Sequence, residues 1–368
     1  MTQGRLGIVL CPMTDDNFMY SIAKDPEKKS IYVVKATNNT SIKAKLDKAG
    51  IPYEVLDWDT DIVCRRRGPS GDDFGILIYC IDLGLHSKPA ELKSTVEDIA
   101  RKMQPYVDAI GFYLGTCGNY DWNIPRWCEA EGLKPSAMFC DKNGELCHDC
   151  VGVNIAGGPR YLELEKKYAG HLFIFPAMAT NYDEFMNADQ AEARATEESL
   201  TDDMREVLGI EPGRDGYMRW LLQLGGYENI LKIDTGIGDR EHFESDLQKV
   251  AERTRLNIKV AEPGWADLQP TDDLYSKCKS MLGAGDEIRI PVHHRDTHPD
   301  ACGVLPPGQH HQPDRRPEHR VQPRHSAQRF HQTEEGGTPE AGIRQEEDGT
   351  GPSGRYDHTV RRVHGHRV

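Results

Sequence analysis

Apolar positions open the chain as a short run, Gly4 to Leu10, and then change period, recurring at helical spacing from Asn17 to Lys24. The alternation repeats. Ile31 to Val34 predicts a second strand, Ser41 to Ala49 a helix that Gly50 stops, and Tyr53 to Leu56 a third strand. A charged, glycine-containing loop from Arg65 to Asp73 precedes a buried strand at Gly75 to Ile81 and a helix at Ala90 to Met103. Ala109 to Leu114, Ser136 to Phe139 and His171 to Phe175 read as the remaining strands of a first part. The second part is smaller, with helices at Glu197 to Leu208 and Tyr217 to Leu224, a strand at Ile230 to Ile233, an amphipathic helix at Arg240 to Thr254, a strand at Asn257 to Val260 and a closing helix at Thr271 to Met281. Strands alternating with helices predict an α/β fold: a mostly parallel sheet flanked by helices, with a second, smaller α/β part. The acidic, alanine-rich stretch Asn187 to Glu198 either links two parts, 1–186 and 197–284, or forms a helix crossing one sheet.

The pattern stops near residue 285. Nineteen lysines precede that point and none follows it, while 12 arginines and 11 of the 15 histidines lie beyond. Apolar residues become sparse and Pro, Gly, Gln and Arg recur, a composition unable to bury enough apolar surface to offset its ordering entropy. We read 285–368 as a disordered tail. Its pairs His293-His294 and His310-His311 could bind metal. A switch to arginine alone, with histidine and proline rising together, is also what a GC-rich gene read in a shifted frame produces. We favour such an artefact or a functionless tail over metal binding, leave its histidines out of the site, and place the functional unit in residues 1–284.

The full chain carries a net charge of -14, which argues against generic nucleic-acid binding, since that needs a basic footprint. No secretory leader or membrane-spanning run is visible, so a soluble cytoplasmic protein is expected. Its ten cysteines are then better read as thiols or metal ligands than as a disulfide framework.

Those cysteines carry the candidate chemistry. Cys11, Cys117 and Cys140 each follow a predicted strand, and Cys147-His148-Asp149-Cys150 is a C-x-x-C. In an open α/β sheet the carboxyl ends of the strands form the default ligand crevice. Thiolates supplied there from several loops suit a soft cation or an iron–sulfur cluster. A redox thiol pair and inert packing are the alternatives for Cys11, Cys117, Cys147 and Cys150, whose spacing matches neither a zinc ribbon nor a ferredoxin run. Cys64, Cys80 and Cys278 are expected to pack as small hydrophobes. In Gly115-Thr116-Cys117-Gly118-Asn119 the glycines permit a tight turn, with Gly118 and Asn119 as cofactor-binding positions, or the segment is an ordinary strand-to-helix turn. His148 is the candidate acid or base, metal ligand or thiolate-tuning group. Asp234, Gly236 and Asp239, in Asp234-Thr235-Gly236-Ile237-Gly238-Asp239, are candidates for holding an anion, a hydroxyl or a hard cation, although Asp239 could merely cap the following helix. Tyr120, Trp122 and Trp127 either wall a flat cofactor or belong to the core.

The order of Cys11, Gly115-Thr116-Cys117-Gly118-Asn119, His148-Asp149-Cys150, Arg160-Tyr161-Leu162, Pro176 and Asp234-Thr235-Gly236 with Gly238-Asp239 resembles the "domain of unknown function 1638" proteins, from about Leu6 to Leu282. Such proteins occur in methanogenic archaea and anaerobic bacteria, often encoded near corrinoid-dependent methyltransferases. The resemblance carries over Cys11, Cys117 and Cys150, with His148 beside the last. Tyr120 and Cys147 depart from the family's pattern, so Cys147 as a fourth ligand rests on spacing alone. No Asp-x-His-x-x-Gly occurs, so the chain is not expected to carry the corrinoid itself. The family has no settled activity and the resemblance supplies context only; joined to the strand-end thiols it leads to the expectation of a metal- or iron–sulfur-binding accessory protein of anaerobic one-carbon, methylamine-type methyl transfer, with a corrinoid protein or methyltransferase as partner. A zinc-thiolate methyltransferase and a non-catalytic binding subunit are the alternatives.

Overall fold

Strand β1, Gly4–Leu10, is buried at every position but its first, as a strand covered on both faces must be. The structure is a computed structural model and describes residues 2–36, 38–63, 74–116, 122–185, 196–213 and 215–282. The predicted tail and the loop at 65–73 lie outside the described residues. β1 is followed by α1 (Asp15–Lys24), β2 (Ser30–Val34), α2 (Thr40–Lys48), β3 (Tyr53–Leu56), β4 (Phe74–Cys80), α3 (Pro89–Met103), β5 (Ala109–Tyr113), α4 (Ile124–Ala130) and β6 (Ser136–Met138). These six strands form one sheet in the order β3-β2-β4-β1-β5-β6, parallel throughout. The chain winds from β1 toward β2 and β3, returns through β4, and then passes β1 to reach β5 and β6. The direction of winding therefore reverses around β1, and its carboxyl end is the switch point where such sheets open a crevice.

Alternation along the strands assigns the two faces. Leu6, Ile8 and Leu10 join Phe18, Ile22, Ile42 and Leu46 of α1 and α2 in one apolar cluster. Val9, Leu77, Ile110 and Phe112 join Leu92, Val96 and Ile99 of α3 and Ile124 of α4 in another. Cys80 and Cys278 are buried among apolar neighbours as expected, and Trp122 and Trp127 pack edge to face on the α3 side with ring centroids 5.6 Å apart. Cys64 and Tyr120 lie outside the described residues.

Next along the chain are α5 (Cys150–Asn154), α6 (Gly158–Lys167), β7 (His171–Ile174), α7 (Pro176–Thr180), α8 (Asp202–Leu208), α9 (Gly216–Leu224), β8 (Asn229–Lys232), α10 (Arg240–Thr254), β9 (Asn257–Val260) and α11 (Gln269–Leu282). β7, β8 and β9 make a second parallel sheet in that order. Met218, Leu222, Phe243 and Leu247 cover one side of it, and Val151, Ile155 and Leu164 the other. Two elements sit elsewhere than the sequence pattern places them. The strand at His171 was expected with the first part but pairs Leu172 with Ile230 in the second sheet. The closing helix α11 returns to the first sheet and packs on β1, β5, β6 and α1. Apolar periodicity reports that a segment is a buried strand or helix, not which partner buries it. All described residues fall within one compact unit spanning Met1–Ile290, and among them no helix is long and apolar enough to cross a membrane.

Candidate functional site

Where β1 ends, Pro12–Thr14 makes a 3-10 turn whose proline fixes the entry backbone. The Cys11 amide donates to the Tyr113 carbonyl on β5 (3.0 Å), and the Thr14 hydroxyl donates to the same carbonyl (2.5 Å) and to the Cys11 carbonyl (3.1 Å). Cys11 is thereby tied to the end of β5. Cys11 is half-buried, and desolvation pushes its thiol up to about 12, the Met13 amide opposing and the Asp15 and Glu184 carboxylates reinforcing. A thiol in that state is protonated at neutral pH.

The strand that holds Cys11 then leads to the C-x-x-C loop. Gly115 lies against the backbone of Asp149, so close that a Cβ would sit 2.8 Å from the Asp149 Cα. The Thr116 amide donates to the Cys147 carbonyl (3.0 Å), and its hydroxyl to the His148 carbonyl (3.1 Å). Cys117, Gly118 and Asn119 follow directly and lie outside the described residues. Asp149 caps α5 by accepting from the Gly152 amide (2.7 Å), which makes Cys150 the first helical residue. Cys150 is half-buried among Tyr161, Trp265 and Ile155. His148 is exposed, with its ring over Gly158 at the start of α6.

Cys147 occupies a different environment. It is fully buried in the cluster that contains Phe139, Tyr113 and Cys278, whereas Cys11 packs against the cluster on the α3 side. Burial holds its thiol far above the ordinary range, with Cys140, Asp141 and Asp149 reinforcing.

The loops of the second sheet reach the same edge. Pro176–Thr180 packs on the Pro12–Thr14 turn, and Gly238 lies against Pro176 and the Asp16 carboxylate with no space for a side chain. Asp239 caps α10 through the His242 amide (3.3 Å) and also accepts from Lys48 Nζ (2.9 Å) and His242 Nδ1 (2.9 Å). Those donors, Lys48 foremost, hold its carboxyl well below the usual range. Asp234 is exposed, accepts from the Gly236 amide (2.9 Å) and pairs with Arg240 (2.6 Å). Gly236 adopts φ +75°, a turn conformation that favours glycine.

Among the described residues, Asp239, Glu241 and His242 are a group whose potential ligand atoms all lie within 4.8 Å of one another. Their arrangement is exposed, and the Asp239 carboxylate is already engaged by a lysine, an imidazole and a helix cap. Cys11, Cys147 and Cys150 do not form such a group.

Sequence reasoning passed over two buried polar constellations at this edge. Lys45 Nζ lies 2.5 Å from both Asp15 and Asp16, and Ser41 donates to Asp15 (2.5 Å). Two carboxylates share one ammonium there, so Lys45 is held charged while burial, reinforced by Asp16, pushes the Asp15 carboxyl up. In the second, Asn17 Nδ2 donates to Asn154 Oδ1 (3.0 Å) and Thr271 Oγ1 (2.9 Å). The available signal was Asp15-Asp16-Asn17 in the first turn of α1, separated from the end of β1 only by Cys11 and the Pro12–Thr14 turn.

Comparison with known proteins adds a family. No curated protein and no solved structure gives a significant match. A family model described as "Protein of unknown function (DUF1638)" matches residues 80–271, from the last residue of β4 to the start of α11. β1 and Cys11 lie before that span. Because the match covers just over half of the sequence and includes the C-x-x-C loop, the second sheet and the Asp234 loop, the chain belongs to the DUF1638 family.

Proposed function

We propose that this protein holds a thiolate-ligated centre, an iron–sulfur cluster or zinc, at the switch point of its first sheet, with Cys11, Cys117 and Cys150 as ligands. One observation carries the reading: the Cys11 amide bonds to Tyr113, and Thr116 bonds to Cys147 through its amide and to His148 through its hydroxyl, so the ends of β1 and β5 and the C-x-x-C loop share one edge. The donor set fits such a group. A half-buried thiol raised to about 12 with carboxylates nearby is a poor nucleophile, which disfavours a redox pair, yet a soft dication deprotonates its ligands outright. Cys147, buried in the core, packs and does not ligate. His148 stays exposed beside Cys150, placed to accept or release a proton at the mouth. The family resemblance supplies the setting: an accessory role in anaerobic one-carbon methyl transfer, with a corrinoid protein or methyltransferase as partner. The acidic surface would speed encounter with a basic partner.

Metal analysis and visible spectroscopy of the full chain purified without oxygen test this. Stoichiometric metal, lost on Cys11→Ser, Cys117→Ser or Cys150→Ser and kept on Cys147→Ser, is the expected result. Broad visible absorption with iron assigns a cluster, and colourless protein with zinc favours a zinc-thiolate methyltransferase. A metal-free wild-type protein, or serine variants that keep full metal content, would sink the proposal and leave a binding subunit whose thiols only pack.

A further inference from the structure

Three polar side chains lie buried where α1, α5 and α11 meet: Asn17, 1% exposed, Asn154, 2%, and Thr271, 0%. Asn17 Nδ2 donates to Asn154 Oδ1 (3.0 Å) and to Thr271 Oγ1 (2.9 Å). Asn154 Nδ2 in turn donates to the carbonyl of Cys150 (2.8 Å). The network is directional, since both Asn17 amide hydrogens have acceptors within it and the last acceptor is the main chain of a thiol-bearing residue. Each member comes from a different helix. The neighbours in this part of the core are apolar, including Leu274, Cys278 and Val153, and apolar side chains of matching shape would fill the space at little or no cost in stability. What apolar packing cannot do is fix an angle.

Angle is what α5 needs. The helix has five residues, too short to be stable alone, and its orientation is set by its neighbours. Cys150 is its first residue, so any rotation of α5 moves the sulfur. Asn17 stands on α1, which follows the Cys11 turn directly. The Asn17–Asn154 pair therefore connects the helix that follows one thiol to the helix that begins with another.

We infer that Asn17, Asn154 and Thr271 are positioning residues that fix the orientation of Cys150 relative to Cys11. This rests on the thiolate centre proposed above and names the residues that shape it. Groups that orient metal ligands in this way are worth about 10–100-fold in metal affinity.

Cobalt(II) alone, loaded anaerobically into metal-stripped full-length protein, is the probe, read by the thiolate-to-cobalt charge-transfer band, the ligand-field bands and competition with a chelator. Thr271→Val keeps the volume but removes the acceptor, Thr271→Ser restores the hydroxyl, and Asn154→Asp keeps the acceptor for Asn17 while losing the donor to Cys150. Thr271→Val and Asn154→Asp are expected to bind cobalt about 10–100-fold more weakly with shifted ligand-field bands, and Thr271→Ser to match wild type. If Asn154→Asp does not fold, the Thr271→Val and Thr271→Ser pair decides. Variants that melt at lower temperature yet bind cobalt with wild-type affinity and spectrum would reduce the network to packing and overturn the inference. A wild-type protein with no thiolate-to-cobalt band would overturn the metal reading itself, and this inference with it.

Discussion

Replacing Asp25 by asparagine should cost stability that depends on pH in a defined direction. Asp25 follows α1 and anchors the closing helix α11: its carboxylate accepts from the Tyr275 hydroxyl (2.7 Å) and Lys279 Nζ (3.0 Å), from the Glu27 amide (3.1 Å), and pairs with Lys29 (3.3 Å). The side chain is 6% exposed. Burial opposes its ionisation, but the hydrogen bonds from Tyr275, Glu27 and Lys279 and the charge of Lys29 prevail, holding the carboxyl at about 2 against an ordinary 3.8. That difference corresponds to roughly 2.5 kcal/mol in favour of the folded state at neutral pH. Because the folded-state value lies below the unfolded one, the contribution is complete above about pH 5, declines as pH falls through the carboxylate range, is mostly lost near pH 2 and is gone by about pH 1. Urea unfolding of wild type and Asp25→Asn, followed by tryptophan fluorescence across that range, should show a gap of about 2 kcal/mol at pH 7 that closes on acidification. A gap of equal size at every pH would mean that geometry, not charge, anchors α11. No gap at neutral pH would refute the ion-pair reasoning altogether.

Three further outcomes are expected. Lys45→Met leaves Asp15 and Asp16 buried without their cation and should cost about 3–5 kcal/mol at neutral pH, partly recovered on acidification as the carboxylates take up protons; a loss below 1 kcal/mol in a urea melt would show the pair is solvated. Gly111→Ala puts a methyl 2.8 Å from Cys278 Sγ and 3.0 Å from Ile8 Cδ1, at a cost of about 1–3 kcal/mol. Adding Cys278→Ala should restore most of it, and a double variant no better than the single would disprove the contact. Gly115→Ala drives a Cβ into the Asp149 backbone, so metal content should fall with little change in far-UV circular dichroism; retained metal would uncouple this strand end from the C-x-x-C loop.

Much of the architecture was written in local periodicity. β1 to β5 and the helices α3 and α10 were read within a residue or two of their ends, because alternating or 3.6-spaced apolar residues bury only as those elements. The same logic left out α4, α5 and α7, which have seven, five and five residues and are too brief for a repeating apolar face, and also the ten-residue α6, in which only Leu164 is buried. The strand ends that deliver Cys11 and the 115–116 turn were legible because carboxyl ends of parallel strands converge by topology. Cys147 was not distinguishable from Cys150 in the sequence, since a C-x-x-C states spacing and not burial. In the fold Cys147 is buried in the core, whereas Cys150 is the first residue of α5 and packs at a separate cluster.

The sequence alone determined the fold class, the strand-end cysteines, the end of the regular pattern near residue 285 and the family, since each depends on residue types a few positions apart. Only the tertiary structure decided that His171 begins a second sheet, that α11 closes over the first, that Lys45 neutralises a buried acid pair, and that Asn17, Asn154 and Thr271 meet beneath Cys150. Those facts require residues up to 254 positions apart to share a hydrogen bond, and no local pattern encodes which distant partner will remove a buried group from water.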